Sequence, residues 1–104
     1  MLILLILLIL SKYKHMKKSI IIKVSGKVQN VGFRFYTKKT AKNLGVNGYV
    51  KNLPDASVYI EAEAEDYIID QFVEWCRKGP SWARVEKINI QENDIMDYHG
   101  FSIR

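Results

Sequence analysis

One cysteine, Cys76, is all the chain has, so no intramolecular disulfide can form, a composition compatible with a reducing compartment. Histidine is nearly as scarce. His15 and His99 have no second ligand at metal spacing, and no C-x-x-C pair is present to hold a soft metal. The two prolines, Pro54 and Pro80, both fall in turns. Repeats, low-complexity tracts and interdomain linkers are missing as well. With 104 residues, the chain can bury one hydrophobic core but not two. Its hydrophobic content of 48% and charged content of 26% are ordinary for a globular domain and exclude a disordered, collagen-like or disulfide-scaffold chain.

Only one apolar run is long, Met1 to Leu10, and as a helix it would rise about 15 Å against a hydrocarbon core of about 30 Å. A transmembrane span is not expected. A secretory signal would place basic residues before the run and an A-x-A pattern after it, whereas here lysines follow and the pattern is missing. The apolar run with Lys12, Lys14, Lys17 and Lys18 behind it has the composition of a weak interfacial tether. A simpler reading is that Met16, followed at once by Lys-Lys-Ser and a strand, is the natural start, with residues 1–15 added by an upstream one. Residues 1–18 are therefore expected to form a hydrophobic then basic leader outside the native domain, which would occupy residues 19–104. Membrane contact through the leader is not expected. The formal net charge is +5, but residues 19–104 carry 12 basic and 11 acidic side chains, too even a balance for a nucleic-acid partner.

Ser19 to Ser25 is a β-branched run closed by Gly26 and predicts a first strand. From Phe33 the apolar and small residues Phe33, Tyr36, Thr37, Thr40, Ala41 and Leu44 recur at helical spacing, Lys38, Lys39 and Lys42 point outward, and Gly45 caps the helix. Val46 to Asn52 and Val58 to Ala64 alternate as two strands of a hairpin around Leu53-Pro54-Asp55-Ala56. Glu65 and Asp66 open a second helix with Ile68, Ile69, Phe72, Trp75 and Cys76 on its apolar face, closed by Arg77, Lys78 and Gly79-Pro80. Ala83 to Gln91 predicts a fourth strand, Asp94 to Gly100 a polar connection, and Phe101 to Arg104 a short end strand. The order βαββαβ builds an α+β fold, the ferredoxin-like α/β sandwich. It has a four-stranded antiparallel sheet plus a short terminal strand, and two helices on one face.

Between the first strand and the first of these helices runs Gly26-Lys27-Val28-Gln29-Asn30-Val31-Gly32-Phe33-Arg34. A loop with glycine on each side that enters a helix N-terminus can aim several backbone N–H groups at one point, where the helix dipole adds roughly half a positive charge. Arg34, in the first helical turn, adds a planar fork of donors matched to two phosphate oxygens. Alone, such a loop reads more simply as turn chemistry.

The surrounding residues resolve that ambiguity. V-Q-N-V-G-F-R at 28–34, A-K-N-L-G-V-N-G-Y-V-K-N at 41–52, D-A-S-V at 55–58 and G-P-S-W-A-R-V at 79–85 together resemble the acylphosphatases. The likeness runs over residues 20–104. It implies a hydrolase acting on acid anhydrides, one that splits the carboxyl-phosphate bond of a small-molecule acyl phosphate. The products would be a carboxylate and inorganic phosphate, the latter also an inhibitor. By that resemblance Arg34 binds the phosphoryl group, the amides of Gln29, Asn30, Val31, Gly32, Phe33 and Arg34 complete the cradle, and Asn52 orients the attacking water. Neither a metal nor an organic cofactor is implied. The resemblance departs at two positions where the family usually has glycine, Asn30 and Ala56. Asn tolerates a positive φ, so Asn30 is expected to keep the loop shape, whereas Ala56 is expected to push its turn into another type.

Other prominent residues have plainer readings. Cys76 on an apolar helix face reads as a small buried hydrophobe. His15 and His99 read as solvated, Tyr49, Tyr59, Phe72 and Trp75 as core, and Lys38, Lys39 and Lys42 as a wet helix face. An RNA-binding module of the same strand order would carry its aromatics on the third strand. Here Phe33, Phe35 and Tyr36 open a helix instead, and that strand carries Tyr59 with the charged Glu61 and Glu63. The alternative is a non-catalytic acylphosphatase-like binding or regulatory domain. A cytoplasmic monomer is expected.

Overall fold

A computed structural model describes the backbone of residues 1–12 and 16–104, with side chains described for 1–7 and 16–104. The elements are α1 (Leu2–Lys12), β1 (Lys17–Lys27), α2 (Phe33–Leu44), β2 (Asn47–Asn52), β3 (Val58–Glu65), α3 (Asp66–Lys78), β4 (Arg84–Glu92) and β5 (Phe101–Ile103). Met1 to Leu7 are exposed along α1. Expectations for the Lys12 and Lys14 side chains and for His15 lie outside the described residues. Among the described residues, no helix is long and apolar enough to cross a membrane. β1 starts at Lys17, two residues before the expected Ser19, because its ladder with β3 continues through Lys18↔Ala64 and Lys17↔Glu65.

The sheet has five strands in the order β4-β1-β3-β2-β5. β1, β2, β3 and β4 pair antiparallel, as expected, and the end strand joins the same sheet parallel to β2, with Gly48 opposite Phe101 and Val50 opposite Ile103. Both β1 and β2 run antiparallel to β3 between them, so they run parallel to each other. Their C-terminal ends, Lys27 and Asn52, therefore leave the sheet on one side, about two strand spacings or 10 Å apart. That topology sets up the site.

α2 lies over β2 and β5, and α3 lies over β1, β3 and β4, on one face of the sheet. Ile20, Ile22 and Val24 of β1, Val50 of β2 and Ile60 and Ala62 of β3 meet Phe33, Ala41, Ile69 and Phe72 there in a fully buried core. Close approach is built in at Gly48, where a Cβ would stand 1.9 Å from the Glu61 carbonyl oxygen. On α2, Phe33, Thr37 and Ala41 are buried at i, i+4 and i+8, whereas Tyr36, expected on the inner face, is 42% exposed because it lies one step round the helix. Cys76 is fully buried, and burial pushes its thiol pKa up, as a structural cysteine requires.

The sheet's other face departs most from the sequence reading. Tyr49 and Tyr59, expected in the core, lie outside the core cluster, and the charged Glu61 and Glu63 are buried at 8% and 0% exposure. The cause is the segment 93–100, which carries the chain from β4 at one sheet edge to β5 at the other. Met96 and Tyr98 donate backbone N–H groups to the Glu63 carboxylate. Glu61 accepts hydrogen bonds from the hydroxyls of Tyr49, Tyr59 and Tyr98 at 2.7 Å each and from the Asn93 amide at 3.2 Å. Burial alone would push the Glu61 pKa up, but the three hydroxyls, with the Arg104 charge nearby, hold it below its usual value. Burial and the Glu61 charge conversely push Tyr98 up to about 12. Arg104 stacks on Tyr49 at 3.9 Å and so ties the last residue to the same cluster.

The hairpin turn also differs from expectation. Ala56 takes the left-handed conformation, φ 74, rather than changing turn type, because Leu53 N–H to Ser57 O and Ala56 N–H to Leu53 O bonds close the turn around it. A left-handed non-glycine residue costs on the order of 1–2 kcal/mol, and glycine's extra freedom when unfolded offsets part of that. Ala56→Gly should therefore stabilise the fold by about 0.5–1 kcal/mol, raising Tm by a few degrees in a calorimetric scan. An unchanged or lower Tm would show that the turn carries no strain.

Candidate active site

Val28 and Phe33 are both 1% exposed and anchor the ends of the loop between β1 and α2 in the core. The polar residues between them are thereby left at the surface. Phe33 also packs on Trp75 of α3, with ring centroids 5.6 Å apart. Within the loop, Asn30 has φ 63 and Gly32 has φ 77, so the asparagine keeps the left-handed shape expected of it. Left-handed residues alternating with right-handed ones curl a chain so that successive N–H groups face a common concavity. At Gly32, the N-cap, no side chain caps the helix, and the first backbone bond into it runs from Tyr36 N–H to Gly32 O at 3.0 Å. The amides of Phe33, Arg34 and Phe35 precede that bond and have no partner in the helix's own ladder. Together with the dipole of a 12-residue helix, they have the chemistry that attracts an anion.

Asn52 reaches this site from the strand side. It is the last residue of β2, shares the helix-covered face with Gly48 and Val50, and stands opposite Val58. Its Oδ1 is buried and has no hydrogen-bond partner among the described residues. One open cleft of about 230 Å³ brings the parts together, lined by Val28, Gln29, Asn30, Gly32, Phe33, Arg34, Phe35, Asn52 and Ile103. Arg34 is exposed on its rim. Of the residues singled out from the sequence, only Val31 does not line the cleft, since its side chain packs on the core instead. None of the lining side chains is a carboxylate, imidazole or thiol.

Three features of the cleft were not legible beforehand. The Gln29 side chain, read only as a source of a backbone amide, donates from Nε2 to the carbonyls of Leu53 and Ser57, both at 2.9 Å. It thus ties the cradle to the turn that follows Asn52 and fixes the distance between the two halves of the site. The same turn is braced from outside, where Lys23 pairs with Asp55 at 2.7 Å and Asp55 accepts from the Ser57 hydroxyl. Phe35 and Ile103 are the exposed apolar residues of the lining, beside the buried Val28 and Phe33. Phe35 stands off the three-and-four spacing of the buried residues, which was its only signal in the sequence. Ile103 is placed by the parallel pairing of β5, for which the sequence holds no signal.

Comparisons with known proteins agree with this fold. The acylphosphatase family model matches residues 20–103. An acylphosphatase of Archaeoglobus fulgidus is 44% identical over 80 residues, covering 77% of this chain and 90% of that one. Among solved structures, an acylphosphatase from Coxiella burnetii superposes with a TM-score of 0.82 at 39% identity, over 85% of this chain and 93% of that chain. The acylphosphatase from Bacillus subtilis does so with a TM-score of 0.81 at 34% identity, over 86% and 99%. With its cradle, its cleft and a match over nearly all of the sheet and both helices that cover it, the chain belongs to the acylphosphatase family of hydrolases.

Proposed function

We propose that the cleft hydrolyses acyl phosphates with Arg34 and the loop amides holding the phosphoryl group and Asn52 orienting the water. The observation that carries this reading is the buried, unpartnered Asn52 Oδ1 in the same cleft as Arg34. An acceptor without a donor costs free energy unless a ligand or water supplies one. A water donating to Oδ1 would have a lone pair free to face a phosphorus atom held in the cradle.

In the step itself, the water oxygen bonds to phosphorus as the bond from phosphorus to the acyl oxygen breaks. The leaving group departs as a carboxylate, and a proton of the water passes to a phosphate oxygen of the substrate. An acyl phosphate already has a good leaving group, so positioning and charge neutralisation can supply most of the rate enhancement. A lining without a carboxylate or imidazole base suits that division of labour.

The relatives compared above are covered over at least 90% of their lengths. That supports reading the domain as an acylphosphatase enzyme. A free, buried Cys76 fits a cytoplasmic setting, and we take the active species to be a monomer. The direct test is phosphate release from acetyl phosphate and benzoyl phosphate in buffer containing a chelator. Turnover well above the uncatalysed rate is expected with both, with inorganic phosphate as a competitive inhibitor. No release from either would overturn the reading.

A further inference from the structure

The cleft lining mixes the polar Gln29, Asn30, Arg34 and Asn52 with the exposed apolar Phe35 and Ile103. On the proposed reading Arg34 and the loop amides hold the phosphoryl group and Asn52 orients the water, whereas the side chains of Phe35 and Ile103 have no role in that chemistry. Phe35 is 60% exposed and Ile103 41% exposed, so neither is needed by the core. Position 35 is two residues from buried Phe33, roughly 200° round the helix, where a charged side chain would serve folding equally well.

The Phe35 ring is nevertheless held in place. Its edge meets Tyr36 in a T-shaped contact with centroids 5.1 Å apart and planes at 85°. Tyr36 in turn lies over Gly32, where an added Cβ would come within 3.3 Å of the ring. The aromatic pair is thus fixed against the cradle. Ile103, which also lines the cleft, sits beside β2 opposite Val50, two residues before Asn52.

We propose that Phe35 and Ile103 form an acyl-group wall that selects substrates with an apolar acyl part larger than acetyl, aromatic ones above all. This rests on the reading of the site as an acyl phosphate hydrolase. A substrate whose phosphoryl group is in the cradle must project its acyl group out of it, and the wall is the apolar surface at the cleft mouth. An aromatic ring can stack there at little entropic cost, while an acetyl methyl is too short to cover it. Phe35 and Ile103 are specificity-determining residues, not catalytic ones.

The test compares kcat/KM for benzoyl phosphate and acetyl phosphate in wild type, Phe35→Ala and Phe35→Leu, with the phosphate inhibition constant and Tm of each. Loss of a half-exposed apolar contact should cut the benzoyl-to-acetyl ratio about five- to tenfold in Phe35→Ala, near the low end of apolar discrimination. Phe35→Leu should recover part of it, and in both variants the loss on benzoyl phosphate should exceed the loss on acetyl phosphate, at a Tm near the wild-type value. An unchanged ratio in a folded Phe35→Ala protein would overturn the wall, as would equal losses on both substrates. A failure of the underlying reading is a different result, since wild type would then release no phosphate from acetyl phosphate.

Discussion

Arg34→Ala should lower kcat/KM for acyl phosphates by a factor on the order of 10³ and weaken competitive inhibition by inorganic phosphate, with the fold unchanged. The guanidinium is exposed on the rim of the cleft and packs into no core, so its loss removes function without creating a cavity. Substrate and product share the phosphoryl group, and a residue that binds it must therefore appear in the phosphate inhibition constant as well as in turnover. Arg34→Lys should rescue little, because an ammonium lacks the planar fork that meets two oxygens at once. The measurement is steady-state kinetics with phosphate as inhibitor, backed by a melting curve. Retention of more than about a tenth of wild-type turnover, roughly 1.4 kcal/mol of barrier, would remove Arg34 from the centre of the mechanism.

The strands and helices of the domain were legible because each carries its own periodicity. The α2 helix runs from Phe33 to Leu44 and the β3 strand begins at Val58, both at the expected residues, since apolar spacing and glycine caps mark those ends locally. What escaped depends on contacts between residues distant in sequence. Glu61 and Glu63 alternate with Ala62 and Ala64 along β3, and alternation alone assigns them to a wet face. Only the return of residues 93–100 across that face buries them, supplying Tyr98 and Asn93 as donors more than 30 positions away. The parallel placement of β5 follows from the same return and is equally invisible to local pattern.

The candidate site divides along the same line. Its backbone half was readable, since glycine and asparagine at positive φ leave a residue-level mark and a helix N-terminus has fixed chemistry. Its side-chain half was readable only as single residues. That Gln29 braces the hairpin turn, and that Phe35 and Ile103 line one cleft, are consequences of β1, β2 and β5 all ending on one side of the sheet. Ala56 shows the limit from the other direction. Its preference against a left-handed φ was known from the residue, but the two hydrogen bonds closing its turn outweigh that preference.

Asn52→Ala is expected to separate chemistry from binding. If Asn52 touches the water and not the phosphate, its contribution belongs to the transition state, when the water's lone pair must point at phosphorus. Turnover should fall by a factor on the order of 10² to 10³, as for loss of one well-placed polar group, while the phosphate inhibition constant stays near its wild-type value. Stability provides a second readout. The Oδ1 atom is buried without a partner, so its removal should leave Tm level or raise the stability by up to about 1 kcal/mol, the usual relation between a strained site and the fold that carries it. Asn52→Asp keeps the shape but sets a negative charge beside an anionic substrate, so it should raise the inhibition constant as well as lower kcat. Both variants and wild type are to be compared in one kinetic series with phosphate as competitive inhibitor. Should Asn52→Ala raise the inhibition constant as much as it lowers kcat, Asn52 is a phosphate ligand, and the water must be oriented by the cradle itself.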